Sequence, residues 1–327
     1  MTLKEFGKKI VETIPGYLPE EYVGANIQTT EVIRNNDNEL LALLIMRKDN
    51  PSSPSIYLND YYEEYRHGAA ICELAKEIAR ARIDNEPREY PGMESLADYV
   101  LSKDKIIPRL VNASANKKLL SKRPHYLMDD LAVVYCIFMG VYDGNFATVP
   151  ITNELLEVYD VSQQELDAVA KKNLHQLMPG YFTPVRKFLI EKGFYPSDMP
   201  LPDKENQMYL LTTSLKTNGA TAILDDSFMD RIISEIGEDF YVIPSSIHEL
   251  YLAPKTMAIS PEEITAIIRR TNSNRWLVPR EDFLSNYLYE YDRKERCLRL
   301  AYGDNLSNTV NSIIKDYKRD SASGLLC

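Results

Sequence analysis

The stretch Leu131-Ala-Val-Val-Tyr-Cys-Ile-Phe-Met-Gly-Val141 decides the fold class, because a short apolar run followed by turn residues is typical of a buried β-strand. The pair Asp143-Gly144 predicts a hairpin turn, and Ala147-Thr-Val-Pro-Ile151 predicts the returning strand. A helix over residues 153–159 and a second helix opened by Ser162-Gln-Gln-Glu165 are expected next. Hairpins followed by helices predict an α+β fold, with antiparallel sheets built from hairpins and helices packed on one face.

A related pattern returns further along the chain. Residues 208–215 predict a strand, Asn218-Gly219 a hairpin turn, residues 221–224 a strand, and residues 227–236 a helix that Gly237 ends. The two strand-turn-strand-helix units form either a structural repeat or two independent units of a kind common in α+β proteins.

The last third of the chain continues with alternating strands and helices. A strand is expected over residues 240–243, and Ser260-Pro-Glu-Glu263 predicts a capped helix start. Residues 287–291 and 297–302 predict another hairpin, and residues 307–317 a final helix.

A small helix-and-sheet unit is expected at the N-terminus. The predicted elements are a helix over residues 2–14, strands over residues 26–33 and 40–46 joined by a turn at Asn35-Asn-Asp-Asn38, and a strand over residues 55–58. A helix that Asp60 caps and that runs to about Ala81 follows. The domain organisation that we predict is an N-terminal unit over 1–84, a connecting segment over 85–130 with a helix near 93–101, a C-terminal α+β domain over 131–319, and a frayed tail over 320–327.

The composition narrows the possible functions. The chain has 327 residues, of which 44% are hydrophobic and 26% are charged, as in globular proteins. Its formal net charge of −10 argues against extensive nucleic-acid binding, which needs many Lys and Arg side chains against phosphates. A local basic patch at Lys117, Lys118, Lys122 and Arg123 is either a binding feature or a solvated loop.

Further motifs that could assign a location or a cofactor are missing from the sequence. No apolar run approaches the roughly 20 residues of a membrane span, and no signal-peptide core is recognisable. The four cysteines are scattered without a C-x-x-C pair, which favours a reducing cytoplasm. Neither glycine-rich phosphate-binding motif is present, so we expect no nucleotide and no other cofactor.

The stretch Tyr241-Val-Ile-Pro-Ser-Ser-Ile-His-Glu-Leu250 holds the candidate catalytic residues Ser245, Ser246, His248 and Glu249. A hydrolase could use a serine with His248, but alternation along a strand points Glu249 away from Ser246 and His248, so no triad forms locally. Ser246 and Glu249 also have the spacing of a helix-capping box. Both interpretations stay open from the sequence.

A metal site has weaker support. The pairs Glu63 with His67 and His125 with Asp129 have helical i, i+4 spacing, and His248 with Glu249 could add ligands. These pairs lie far apart in sequence, and H-E-x-x-H is absent, so no metal site is predicted.

Tyrosine is abundant, with 22 residues against 9 Phe and 1 Trp. Tyr287, Tyr289 and Tyr291 alternate along one predicted strand and would place three phenols on one face. Such a face favours a binding surface, since tyrosine is enriched at interfaces, or else a sheet face covered by the protein's own helix.

Four motifs carry a resemblance to a known family: residues 56–62 (IYLNDYY), 148–156 (TVPITNELL), 218–224 (NGATAIL) and 243–249 (IPSSIHE). Together they resemble the bacterial family filed as domain of unknown function 5688, over most of the chain. The resemblance implies an α+β cytoplasmic protein and indicates no substrate.

We therefore expect a non-enzymatic binding or regulatory module that recognises a protein or peptide partner, without nucleic-acid or membrane binding. The alternative is a hydrolase or metal-dependent enzyme centred on His248. Fold alone does not separate the two, because function depends on sites. The sequence does not indicate the oligomeric state.

Overall fold

The computed structural model describes residues 1–49, 53–85, 95–142, 145–203 and 206–302. Its helices and three antiparallel sheets confirm the α+β class. The helices are α1 Leu3–Thr13, α2 Asn59–Arg66, α3 Ile71–Asp84, α4 Tyr99–Ser102, α5 Lys117–Leu120, α6 Asn153–Tyr159, α7 Gln163–Leu177, α8 Val185–Glu191, α9 Asp226–Ile236 and α10 Pro261–Ser273. The strands are β1 Asn26–Arg34, β2 Asn38–Met46, β3 Ile56–Tyr57, β4 Ile106–Asn112, β5 His125–Met128, β6 Leu131–Tyr142, β7 Asn145–Pro150, β8 Gly180–Pro184, β9 Tyr209–Thr213, β10 Phe240–Ser246, β11 Glu249–Pro254, β12 Leu288–Asp292 and β13 Cys297–Tyr302.

The chain separates into two compact units, Met1–Glu94 and Ser95–Cys327. In the first unit, β1, β2 and β3 form an antiparallel sheet in that order. The turn between β1 and β2 uses Asn36 and Asp37 at positive φ, as their side chains allow. Apolar side chains of α1, β2 and α3 share one core.

The predicted long helix from Asp60 to Ala81 is wrong in two respects. It is two helices, α2 and α3, and they are interrupted at Gly68, where φ is +105°. Glycine adopts this positive φ at little steric cost, so Gly68 can end a helix. Asp60 does not cap α2, because the helix already begins at Asn59. The Oδ1 atom of Asn59 accepts the N–H of Leu41 at 3.0 Å.

Two sheets organise the second unit. One has six strands in the order β13-β12-β10-β11-β9-β8, and the other places β6 between β4 on one side and β5 and β7 on the other. Helix α7 packs on one face of the second sheet, with Leu166, Ala170 and Leu174 buried in the same core as Tyr135 of β6. The Tyr135 hydroxyl donates to Asp167 Oδ1 on that helix at 3.0 Å.

The segment over 85–130, predicted as a connection, contributes strands to the β6 sheet. β4 and β5 both pair with β6, and nearly every residue of β4 is buried. The helix expected near residues 93–101 is only α4 in the described chain. The Asp143-Gly144 turn, the helix over 307–317 and the tail over 320–327 lie outside the described residues.

The strand predicted over residues 221–224 is wrong, and with it the second strand-turn-strand-helix unit. Gly219–Leu224 is a 3₁₀ helix whose six residues are all buried. Its backbone and side chains bond to neighbouring elements: the Ala220 N–H donates to the Ile247 carbonyl at 3.1 Å, and Thr221 Oγ1 accepts the Leu110 N–H at 3.2 Å. These tertiary contacts override the β propensity of the segment.

None of the described helices combines the length and apolar character needed to span a bilayer.

Candidate functional site

The motif around His248 forms the turn of a β-hairpin between β10 and β11. Ser246 pairs with Glu249, which places the turn at residues 246–249, and the register shifts between Pro244 and Ser246. Ser246 Oγ accepts the backbone N–H of His248 at 3.0 Å. No helix begins here, so the capping-box interpretation is wrong: the hydroxyl closes a turn instead.

Both imidazole nitrogens of His248 have partners. Nδ1 lies 3.2 Å from the backbone nitrogen of Asn218, and Nε2 lies 3.0 Å from Oδ1 of Asp282. A backbone N–H can only donate, so Nδ1 accepts, and the neutral ring carries its proton on Nε2 and donates it to the carboxylate. The ring is therefore held in one tautomer between two other segments.

The neighbouring candidates form a separate set. The Ser245 hydroxyl donates to Glu249 Oε1 at 3.2 Å, and the Tyr251 hydroxyl donates to the same oxygen at 3.1 Å. Among the described contacts, neither Ser245 nor Ser246 offers its hydroxyl to the imidazole. The four candidates are adjacent in sequence, but the structure does not assemble them into a catalytic triad.

The contacts around His248 continue into both sheets. Its carbonyl accepts the Thr212 hydroxyl at 2.7 Å, and Asn218 Oδ1 accepts from Arg109 Nη2 at 2.7 Å. The N–H of Ile247 donates to the Asp282 carbonyl at 2.8 Å. The motif thus fastens the β10–β11 turn to β9, β4 and the turn at Asp282.

The tyrosine strand lies largely in the core. Tyr289 and Tyr291 are buried, whereas Tyr287 is half-buried. The Tyr289 hydroxyl donates to Asp130 Oδ1, and the Tyr291 ring stacks on Phe240 with a centroid distance of 5.5 Å. Two of the three predicted phenols are therefore covered in this structure and do not line a surface.

Asp130 is a buried carboxyl surrounded by donors. Besides Tyr289, the Ser285 hydroxyl donates to Oδ2 at 2.8 Å and Asn112 Nδ2 donates to the same oxygen at 3.2 Å. Burial raises the pKa of Asp130 to about 6, and these hydrogen bonds oppose that rise. The carboxyl group is enclosed, so these hydrogen bonds stabilise the interior of the second unit.

One cluster of catalytic residue types was missed by sequence reasoning. Asp225 Oδ2 lies 2.9 Å from His175 Nδ1, and the Ser227 hydroxyl donates to Asp225 Oδ1 at 2.7 Å. The Phe228 N–H also donates to Asp225 Oδ1, so this carboxylate caps α9. Asp225 and Ser227 lie at the start of a helix that the sequence predicts, but nothing in the sequence indicates that His175 is their neighbour.

The predicted absence of a metal site stays a prediction. In the described ranges, no group of three or more His, Cys, Asp or Glu side chains is arranged to hold a metal ion. His67 Nδ1 lies 2.8 Å from the Glu63 carbonyl oxygen and His125 Nδ1 lies 2.8 Å from the Arg123 carbonyl oxygen.

A solvent-exposed apolar and cationic surface lies at the end of α10. We call it the Trp276 surface and define it by Ile267, Arg270, Arg275, Trp276 and Leu277. Trp276 is 96% exposed, Leu277 65% and Ile267 54%. Ile267, Arg270 and Leu277 line one hollow of about 530 Å³. Large apolar side chains grouped in this way on a surface mark interaction sites.

The local sequence explains why these side chains project outward. Asn274 ends α10, its Oδ1 accepts the Trp276 N–H at 3.0 Å, and its carbonyl accepts the N–H groups of Leu277 and Val278. Val278 is buried and anchors the turn, while the two preceding side chains are left outside. An Asx turn of this kind fixes the backbone without covering Trp276.

The two arginines of the Trp276 surface, Arg270 and Arg275, make no described hydrogen bond or ion pair through their guanidinium groups. Some other cations of the unit are paired, as with Lys255 and Glu290 at 2.6 Å. Since the chain has a formal net charge of −10, this surface is a local positive region on a negative protein.

A second hollow, of about 690 Å³, lies between β13 and β5. Its cations are already paired, with Lys171 2.9 Å from Asp167 and Arg296 2.8 Å from Asp230. The Leu300 N–H on the outer edge of β13 donates to Asp129 at 3.2 Å. This hollow is therefore less open to a charged partner than the Trp276 surface.

Comparison with known proteins identifies a family. A family model described as "Family of unknown function (DUF5688)" matches residues 3–293. No curated protein and no solved structure matches the chain. The chain therefore belongs to the DUF5688 family, and that family's description names no activity.

Proposed function

We propose that this member of the DUF5688 family is a non-enzymatic binding or regulatory module for a protein or peptide partner, and that the Trp276 surface makes the contact. The observation that carries the proposal is the exposure of Trp276, the one tryptophan of the chain, together with exposed Leu277, which follows it in sequence and lines one hollow with Ile267. Burying an aromatic side chain is strongly favourable, so an indole held in water is available for association.

The chemistry of the surface indicates what the partner should look like. Tryptophan, tyrosine and arginine are the residues most enriched among binding hot spots, and this surface combines one tryptophan with two arginines. Arg270 and Arg275 would pair with carboxylates, and Ile267 and Leu277 would contact apolar side chains. We therefore propose a polypeptide partner that is acidic and carries apolar anchors.

Selection from a random peptide library displayed on phage tests the proposal, because it needs no knowledge of the partner. We expect the selected peptides to combine Asp or Glu with large apolar residues and to bind Trp276→Ala at least about tenfold more weakly than wild type. Phe194→Ala is the matched control, since Phe194 is also an exposed aromatic and lies elsewhere. Equal binding to Trp276→Ala and wild type would refute this surface.

The alternative is a hydrolase or metal-dependent enzyme centred on His248, and one observation favours it. The Asp282 carboxylate lies 3.0 Å from Nε2, and carboxylate–imidazole pairs orient catalytic bases. This alternative needs the contact between Nδ1 and the Asn218 N–H to open for substrate. It predicts hydrolysis of a simple ester such as p-nitrophenyl acetate that His248→Ala abolishes.

We further propose that the chain works in the reducing cytoplasm of a bacterium. Cys72, Cys136 and Cys297 carry free thiols, and the exposed Cys72 would be subject to oxidation elsewhere. Fractionation of cells that express the tagged chain tests the location, and recovery in an oxidising compartment would refute it.

A further inference from the structure

His175 and Asp225 form a carboxylate–imidazole pair at the surface of the second unit. Nδ1 of His175 lies 2.9 Å from Oδ2 of Asp225. The Asp225 side chain is only 6% exposed, whereas the imidazole is 58% exposed. His175 lies in the last turn of α7 and Asp225 directly precedes α9, so the packing of these elements brings the two groups together.

The Asp225 carboxylate is ionised and fixed in place. Its Oδ1 accepts the Ser227 hydroxyl at 2.7 Å and the Phe228 N–H at 3.1 Å. Burial opposes ionisation, but these hydrogen bonds and the one from His175 outweigh it and lower the pKa of Asp225. Because an ionised carboxylate only accepts, the neutral imidazole carries its proton on Nδ1.

The other imidazole nitrogen, Nε2 of His175, therefore carries a lone pair. In the described ranges of the chain, the hydrogen bonds of this ring are made at Nδ1, and none reaches Nε2. The Ser227 hydroxyl lies 3.2 Å from Nδ1, so it is on the same side as the carboxylate and is not a nucleophile that Nε2 could activate. A ring that is oriented by a carboxylate at Nδ1 and open at Nε2 can itself act as a nucleophile.

The other three histidines lack this combination. Both ring nitrogens of His248 have partners. His67 is exposed, but its Nδ1 contacts a backbone carbonyl at 2.8 Å, and Nδ1 of His125 does the same. An attacking imidazole acquires positive charge, which a carboxylate stabilises more than a neutral carbonyl does. Among the described imidazoles, His175 therefore has the best geometry for nucleophilic attack.

The hollow of about 690 Å³ between β13 and β5 adjoins this pair. Lys171, which lines the hollow, precedes His175 by about one turn of α7, a rise of about 6 Å. Leu224 and Asp226 line it as well, and they flank Asp225 in sequence. A concave site beside an oriented imidazole is typical of small-molecule binding. The apolar part of its lining includes Tyr126, Met128, Leu298 and Leu300.

The structure assigns a covalent acyl-acceptor site to Nε2 of His175, with uncharged activated esters and anhydrides as the class of acyl donor. An uncharged donor fits because the hollow's cations Lys171 and Arg296 are already paired with carboxylates. The site is separate from the Trp276 surface, and the assignment does not depend on the proposed function.

The acylation step uses only the imidazole and the donor. The lone pair of Nε2 attacks the carbonyl carbon, the new N–C bond forms, and the C–O bond breaks as the leaving group departs with its electron pair. The Nδ1 proton stays hydrogen-bonded to Asp225 while the ring is positive, and its later loss to water gives a neutral acyl-imidazole.

Diethyl pyrocarbonate is the first probe, because it is an uncharged acyl donor and its histidine product is identified by peptide mass spectrometry. In wild type we expect His175 to react at least about tenfold faster than His67, since only His175 has a carboxylate at Nδ1. His248 should stay unmodified in the folded protein. Equal rates at His175 and His67 would overturn the site, and this measurement needs no substitution.

The variant Asp225→Asn tests whether the carboxylate positions the ring. Asparagine caps a helix about as well as aspartate, so the Tm should stay near that of wild type. Its amide can donate to Nδ1, which moves the ring proton to Nε2 and removes the lone pair. We expect acylation of His175 to slow about tenfold or more while His67 reacts as before. Asp239→Asn, at an exposed carboxylate elsewhere in the second unit, is the matched control and should leave both rates unchanged. An unchanged His175 rate in Asp225→Asn would contradict the assignment.

The ester p-nitrophenyl acetate separates this site from the alternative centred on His248. Wild type should release a burst of about one p-nitrophenolate per chain as His175 is acetylated. His175→Gln should remove the burst, and His248→Ala should keep it. A burst that survives in His175→Gln and disappears in His248→Ala would overturn the site and favour the other imidazole.

Discussion

Nε2 of His248 lies 3.0 Å from Oδ1 of Asp282, and this contact joins two turns that are 34 residues apart. The other ring nitrogen accepts the Asn218 N–H, so a single imidazole connects three segments. Alternation along a strand predicts that Glu249 points away from His248, and in the structure Asp282 provides the carboxylate that contacts the imidazole. The carboxylate–imidazole pair resembles half of a catalytic triad, but the second imidazole nitrogen accepts a backbone N–H where a triad would place the nucleophile.

His248→Ala should lower the free energy of unfolding by about 1–3 kcal/mol, because it leaves the Asn218 N–H and the Asp282 carboxylate without their partner. Urea denaturation followed by circular dichroism measures the change. Ser246→Ala is the milder comparison and should cost about 1 kcal/mol, since only one turn hydrogen bond is lost. An unchanged unfolding free energy for His248→Ala would favour the catalytic alternative over a structural role for this imidazole.

Gly219→Ala should destabilise the second unit by about 3 kcal/mol or more. A Cβ at Gly219 would lie 2.0 Å from Thr212 Oγ1 and 2.3 Å from the His248 carbonyl oxygen, so backbone must move. The control is Gly16→Ala, because nothing lies within 4 Å of a Cβ there, and its effect should stay within about 0.5 kcal/mol. Similar denaturation midpoints for the two variants would show that the 3₁₀ segment tolerates a shift.

Local patterns predicted the elements whose shape is fixed by their own residues. The apolar run of β6, the Asn36 turn and the Ser260 cap of α10 all appear where the sequence indicates them. Residues 219–224 differ because their burial against β9 and β4 decides their conformation. The periodicity of a local sequence carries no information about contacts with distant strands.

The candidate site was less predictable for the same reason. Alternation places tyrosines on a strand face, but only the tertiary structure covers Tyr289 with Asp130. Exposure is equally invisible in sequence: Trp276 would ordinarily be expected in a core. A signal was nevertheless present, since Arg275-Trp276-Leu277 follows directly on the end of a helix that carries Arg269 and Arg270.

Asp130 should make the stability of the second unit depend on pH. Burial raises its pKa in the folded state to about 6, above the reference value of 3.8. The folded state therefore binds more protons than the unfolded state between about pH 6 and pH 4, and stability gains as pH falls through this window. Above pH 6 the ionised carboxylate is present in both states and the gain is lost.

Comparison with Asp130→Asn isolates this effect from the other carboxyl groups. The unfolding free energy of wild type minus that of Asp130→Asn should rise by about 1–3 kcal/mol between pH 7 and pH 4.5. Denaturant titrations at several pH values give the difference directly. A constant difference would mean that Asp130 titrates near its reference value and that its three donors fully compensate for burial.

Trp276 and its neighbour Val278 should respond oppositely to truncation. Trp276 is 96% exposed, so Trp276→Ala should change the unfolding free energy by no more than about 0.5 kcal/mol. Val278→Ala should cost about 2 kcal/mol, because this buried side chain anchors the same turn. Chemical denaturation of both variants gives the comparison, and iodide quenching of the single tryptophan reports its exposure independently.

If Trp276→Ala cost as much as Val278→Ala and the indole resisted quenching, Trp276 would stabilise the fold and the binding surface would lose its anchor. A side chain of this size that can be removed without loss of stability contributes to something other than folding, and association with a partner is the role that its exposure and its arginine neighbours favour.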